Sequence, residues 1–262
     1  MALRLLLIGD IVGRPGRRAV RECLPSLRQK YQLDFVIANA ENAAGGNGLT
    51  PAVAEELFSC GIDVLTGGNH IWDKKEVFSL LDAEPRIIRP ANYPPGAPGV
   101  GYGIFSVREH KVAVINLCGR VFMPDLDCPF RLSESLVAEL RVHTPLIVVD
   151  FHAEATSEKI AFGWFLDGKV TAVIGTHTHV QTADERVLPG GTAYLTDVGM
   201  TGPRDGVIGV KREIVIEKFL SQLPRRFEVA SGPFQFNGCV ITADPSSGKA
   251  LTIERVQIYE DE

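Results

Sequence analysis

The chain has 262 residues, 45% of them hydrophobic, and a formal net charge of −5. That length and apolar content can bury the core of a single α/β domain over residues 1–262. The negative balance argues against an extended nucleic-acid surface, which needs many Lys and Arg meeting phosphates.

In chain order, Leu3 to Ile8 reads as a buried strand, too short for a signal-peptide core or a membrane span, so a cytoplasmic protein is expected. Arg17 to Tyr31 has helical periodicity, Phe35 to Ala38 reads as a strand, and Thr50-Pro51 is a helix start before Ala52 to Ser59. A strand at Ile62 to Leu65 and a helix at Lys74 to Leu81 follow. Pro90, Pro94, Pro95 and Pro98 mark a long irregular connection, and Met123 to Phe130 reads as another. Further strands are expected at Val112 to Leu117, Leu146 to Val149, Val170 to Ile174 and Thr192 to Thr196. His110 lies at a solvated hairpin tip and His143 in an equally plain setting. Phe227 to Val229, Phe234 to Thr242 and Leu251 to Tyr259 are β-rich, with a turn at Asp244 to Gly248, and predict a second sheet packing on the first. Cys23, Cys60, Cys118, Cys128 and Cys239 form no CxxC pair and read as reduced, mostly buried thiols. Arg17, Arg18, Arg225 and Arg226 read as solvated charge.

Nearly every expected strand delivers polar residues just past its last apolar residue. Gly9 and Asp10 follow the first, and Asn39, Glu41 and Asn42 the next. Gly67, Gly68, Asn69 and His70 come after Leu65, Asp150 and His152 after Val149, and His177 and His179 after Ile174. The carboxyl ends of parallel strands open onto one crevice, so these residues should converge there. If the Gly175 to His179 segment is extended, His177 and His179 point to one side, where two imidazoles can face neighbouring metals. The donors are all oxygen and nitrogen, which suits first-row ions. Two such ions need a shared ligand, a duty that fits the Glu41 carboxylate. Asp150 could support a ligating imidazole, though a structural role is favoured, and Asp197 reads as a turn aspartate. No GxxxxGK[ST] or GxSxG motif is present.

Gly9-Asp10, Ala40-Glu41-Asn42, Gly68-Asn69-His70, His152 and Gly175-Thr176-His177-Thr178-His179 resemble the ordered motifs of the calcineurin-like metallophosphoesterases. Wider members place a His two residues after the first Asp, where this chain has Val12. That departure, the Glu41-Asn42 pair and the run Asn69-His70-Ile71-Trp72-Asp73 resemble the YmdB-like branch along almost the whole chain. The resemblance implies a two-sheet α/β sandwich flanked by helices, with metals at the carboxyl ends of strands. It places Asp10, Glu41, Asn42 and His179 on one metal, with Asn42 standing in for the missing histidine. Glu41, Asn69, His152 and His177 would hold the other. The ions would be iron, or else manganese, and the substrate a small phosphodiester, a 2′,3′-cyclic nucleotide such as 2′,3′-cAMP.

Metals of this kind activate water and stabilise charge on phosphoryl oxygens, but the leaving alkoxide needs a proton. His70, beside a metal-binding Asn without being a ligand, is the expected general acid, with Asp73 as its orienting carboxylate. Two rivals remain at this level: a phosphomonoesterase or RNA nuclease using the same site, and a regulatory RNA- or protein-binding protein that keeps the metals. A homo-oligomer is compatible with the sequence.

Overall fold

In a computed structural model, which describes residues 1–260, the first apolar run is a strand, β1 (Leu3–Ile8), followed by β2 (Asp10–Ile11) and the helix α1 (Gly13–Tyr31). α1 starts at Gly13, ahead of Arg17, and buries Ala19, Val20, Cys23, Leu24 and Leu27 along one stripe. Next come β3 (Phe35–Asn39), α2 (Pro51–Ser59), β4 (Val64–Thr66), α3 (Val77–Ala83) and β5 (Ile87–Ile88). Thr50 caps α2 through its side chain, which accepts from Val53 N, and Pro51 occupies the first turn.

The middle of the chain forms β6 (Tyr102–Val107), β7 (His110–Cys118), α4 (Pro129–Leu140), β8 (Ile147–His152), α5 (Thr156–Phe165) and β9 (Ala172–Thr176). It ends in β10 (Arg186–Val187), β11 (Ala193–Leu195), β12 (Met200–Pro203), α6 (Arg212–Ser221), β13 (Phe234–Ala243) and β14 (Ala250–Tyr259). One sheet has the order β2-β12-β13-β1-β3-β4-β5, with β14 on β13; the other runs β10-β11-β9-β8-β7-β6.

Leu3, Leu5, Leu7, Phe35 and Ile37 pack against Val112, Val114, Val148 and Ile174 of the opposite sheet. The alternate residues Leu6, Ile8, Val36 and Ala38 pack under α1 and α2, while Val149, Phe151 and Val173 pack with residues of α4 and α5. Both faces of the central strands are therefore buried, which is why they read as continuous apolar runs. No helix of the described residues is long and apolar enough to cross a membrane.

Two expectations about the chain's end need correction. The hairpin β13–β14 joins the first sheet, β13 lying antiparallel to β1 from Leu3↔Ala243 to Ile8↔Gly238, and the second sheet comes from the middle of the chain. Alternation marks a strand but carries no record of its partner. Phe227–Val229 is not a strand: Val229 makes one isolated bridge to Val210, and Phe227 is 48% exposed. Its aromatic and β-branched residues line a cavity instead.

Candidate metal centre

β1, β3 and β4 run parallel in one sheet and β8 and β9 in the other, and the residues after their carboxyl ends meet across the junction. Gly9 lets the backbone pass β12, since a Cβ there would lie 2.0 Å from Gly199 O. Asn39 shapes the turn after β3 by accepting from Glu41 N at 3.1 Å and donating to Gly67 O at 3.0 Å. Gly68 has no room for a side chain: a Cβ would fall 2.3 Å from His152 Nε2 and 2.4 Å from Glu41 Oε2. That absence brings His70 N to Glu41 Oε2 at 2.8 Å.

His177 and His179 do not lie on extended backbone. β9 stops at Thr176, and the two histidines have φ of 101° and 66°, a left-handed conformation costly for side chains with a Cβ. The turn aims them at different partners. His177 Nδ1 lies 3.0 Å from His152 Nε2, whereas His179 Nε2 lies 3.8 Å from Asp10 Oδ1 and 3.3 Å from Asn42 Nδ2.

Around His152 Nε2 stand Asn69 Oδ1 at 3.0 Å, His177 Nδ1 at 3.0 Å and Glu41 Oε1 at 3.1 Å. A single ring proton can satisfy only one of them. Deprotonated oxygen and nitrogen donors crowded this closely suit a shared cation better than a single proton. Asp10 Oδ1 is buried with no hydrogen-bond partner, while Oδ2 accepts from His177 N at 3.1 Å. An acceptor so placed is costly unless something positive meets it.

The charges are strongly coupled. Burial disfavours the Glu41 carboxylate, but His152 and His70 outweigh it and hold Glu41 down to about 2. Burial likewise disfavours a charged His152, yet Glu41, Asp10 and Asp150 push it up to about 9. His177 is pushed down to about 3, by burial and then by the charge on His152. Burial raises Asp10, and His179 and His152 offset only part of that rise.

Behind the site stands a layer of supporting groups. Thr176 Oγ1 accepts from His152 Nδ1 at 3.0 Å and donates to Asp150 Oδ1 at 2.7 Å, leaving His152 Nε2 for the site. Asp150, pushed up to about 6 by burial against its Thr66, His152 and Thr176 contacts, thus acts on the imidazole through a hydroxyl. His179 Nδ1 donates to Ile208 O at 2.9 Å, and His177 Nε2 meets Glu154 Oε2 at 3.1 Å. Asp197 makes the turn bond expected of it, to Gly199 N two residues on, but it does more than that. Fully buried, it pairs with the buried Lys159 and accepts from Thr178 N at 3.0 Å and Gly199 N at 2.8 Å, while Lys159 donates to Thr176 O at 2.7 Å. Lys159, Glu154 and Ile208 escape sequence reading, and Thr176 enters it only as a motif neighbour of His177; of the three, only Glu154, two residues past His152, had a usable position.

His70 stands apart from the nitrogen cluster. Its φ of −91° and ψ of 0° place it in the sparsely used bridge region, and Nδ1 donates to Asp73 Oδ2 at 2.9 Å, which also accepts from Asn47 Nδ2 at 3.1 Å. Its Nε2 makes no hydrogen bond among the described residues. His70, Glu41, Asn42, His177 and His179 line one cavity of about 410 Å³ whose other wall includes Ile208, Val210 and Phe227. Polar groups converging on a partly apolar cavity are the usual form of a small-molecule site. His110 and His143 do not line it; they sit at the β6–β7 hairpin and in an exposed turn.

The family described as YmdB-like protein matches residues 6–256. The chain is 53% identical, over 99% of its own length and 98% of the relative's, to the 2′,3′-cyclic-nucleotide 2′-phosphodiesterase of Bacillus subtilis strain 168. A crystal structure of a hypothetical protein from Thermus thermophilus superposes with a TM-score of 0.94 at 43% identity, covering 99% of this chain and all (100%) of that one. One described as a novel phosphatase from Mycoplasma pneumoniae gives 0.95 at 37% identity, covering 100% and 95%. The architecture around the converging strand ends and the full-length likeness agree, and the chain belongs to the YmdB-like protein family.

Proposed function

We propose that the chain is a dinuclear metal-dependent phosphodiesterase that opens 2′,3′-cyclic nucleotides, such as 2′,3′-cAMP, with His70 as general acid. The observation that carries this reading is the unpartnered Asp10 Oδ1 beside a cluster in which the ligand atoms of Glu41, His152 and His177 lie within 4.8 Å of one another. It is supported by the name of the Bacillus relative. Asp10, Glu41, Asn42 and His179 form one ligand set, and Glu41, Asn69, His152 and His177 the other, at the carboxyl ends of the strands. Asn42 donates to Glu41 Oε1 at 3.3 Å, and turning its amide over presents the oxygen to a cation. When bound, ions on this all-oxygen and nitrogen set, iron or else manganese, would supply water activation and electrostatic stabilisation of the phosphoryl oxygens.

The chain's own residues do the rest. Asp73 fixes the His70 ring through Nδ1, so that Nε2 can deliver a proton to O2′ as the P–O2′ bond breaks. Water adds to phosphorus and loses its own proton to solvent, leaving a 3′-phosphate and a free 2′-hydroxyl. The apolar wall at Ile208, Val210 and Phe227 suits a nucleobase. Five free thiols fit a reducing compartment such as the cytoplasm.

The test is to strip the protein with a chelator, reload it with iron or manganese, and compare 2′,3′-cAMP with nitrophenyl phosphate. About two ions per chain and restored, preferential turnover of the cyclic diester are expected. Turnover of 2′,3′-cAMP that survives complete stripping would end the metal reading, and preference for the monoester would end the diester one.

A further inference from the structure

A second groove, of about 740 Å³, runs beside the site cavity, and the two share Gly45 and the segment Phe227–Val229 as a common wall. Arg14, Arg18 and Arg21 of α1 line it, with Arg226 from the segment after α6. No acidic residue occupies the first turn of α1 to offset them. Arg18 is held by Glu260 and lies 5.2 Å over the Phe234 ring, and Arg21 is 3.5 Å from Glu56, a carboxylate it shares with Arg17. Arg14 and Arg226 form no ion pair among the described residues. Arg226 lies in the field of Glu228, whose carboxylate is already taken by Lys211. Phe227, half-exposed with Lys218 Nζ 4.6 Å over its ring, stands where the two cavities meet.

Resting on the phosphodiesterase reading above, we propose that the site also takes the 2′,3′-cyclic phosphate at the 3′ end of short single-stranded oligoribonucleotides, with Arg14 and Arg226 receiving the upstream backbone phosphates. A terminal cyclic phosphate in the site cavity leaves the 5′ side of its ribose joined to another phosphodiester, which needs a cationic path leading out. The adjoining groove is that path, and a ring at the junction supplies a stacking surface that does not depend on base identity. The chemistry is unchanged: water adds to phosphorus, the P–O2′ bond breaks, and O2′ takes the proton. The overall charge of −5 limits this to a few phosphates in one groove.

The experiment compares the metal-loaded full chain with its Arg14→Ala/Arg226→Ala variant on 2′,3′-cAMP and on a tetraribonucleotide ending in a 2′,3′-cyclic phosphate. Two phosphate contacts on a single strand predict that kcat/KM for the tetranucleotide falls about sevenfold more than for 2′,3′-cAMP between about 50 and 200 mM salt. The double variant should lose that extra salt dependence and the tetranucleotide's advantage, with 2′,3′-cAMP turnover held within about twofold of wild type. Fluorescence anisotropy of a 5′-labelled tetraribonucleotide 3′-phosphate should show the same loss of binding without turnover. Equal kcat/KM and equal salt response for the two substrates, or equal slowing of both in the variant, overturns the proposal. If wild type fails on 2′,3′-cAMP altogether, the phosphodiesterase reading falls, and unchanged anisotropy in the variant then rejects the groove separately.

Discussion

The two sheets furnish the centre by different means. On the first, Asp10, Glu41, Asn42, Asn69 and His70 follow β1, β3 and β4 on backbone that stays out of the left-handed region, steered by short turns and by the missing side chain at Gly68. On the second, only His152 belongs to a strand, while His177 and His179 sit past the end of the ladder with positive φ. There the backbone is held by side chains: Lys159 grips Thr176 O, and Asp197 grips Thr178 N and Gly199 N. Where strand pairing stops before the ligands do, a buried ion pair with hydrogen bonds on both partners takes over the positioning.

Three substitutions probe that contrast. The largest effect is expected on the first-sheet side from His70→Ala, which should lower turnover by about 10²–10⁴ while metal content by elemental analysis stays unchanged. Loss of metal with turnover intact would remove His70 from its role as acid. On the second-sheet side, Lys159→Met leaves Asp197 buried and unpaired, at a cost of about 3–5 kcal/mol, seen as a melting temperature lower by about 6–20 °C. A melt that barely moves would mean that the loop holds its shape without the pair. The smallest effect belongs to Thr176→Val, which removes the hydroxyl between Asp150 and His152 and should weaken metal affinity by about 10–100-fold, measured by competition with a chelator, with little change in melting. Unaltered affinity would show that His152 needs no hydroxyl to orient its ring.

Much of this was legible because both faces of the central strands are buried. Their unbroken apolar runs made Asp10, Glu41, Asn69, His152 and His177 stand out as polar residues at strand ends. Asp73 was also within reach, since three residues on a tight turn can bring a carboxylate back to an imidazole, and it accepts from His70 Nδ1 at 2.9 Å. Asp197 is the turn aspartate expected, but its ion pair was hidden because the partner, Lys159, is 38 residues away on α5, and a lysine in a helix gives no sign that it is 1% exposed. Arg17 likewise read as solvated, whereas it pairs with Glu56 and donates to Ala43 O; Arg226 is exposed as expected and lines a groove.

By itself the sequence determined the alternation of strands and helices, the polar residues at the strand ends and the likeness to a metallophosphoesterase branch, all of which are recorded in neighbouring residues. Tertiary structure alone decided that the C-terminal hairpin extends the first sheet, that His177 and His179 turn to different partners on left-handed backbone, and that Lys159 and Asp197 meet behind them. Strand pairing, burial of a charge and the aim of a side chain depend on contacts between residues far apart in the chain, and local periodicity holds no trace of those.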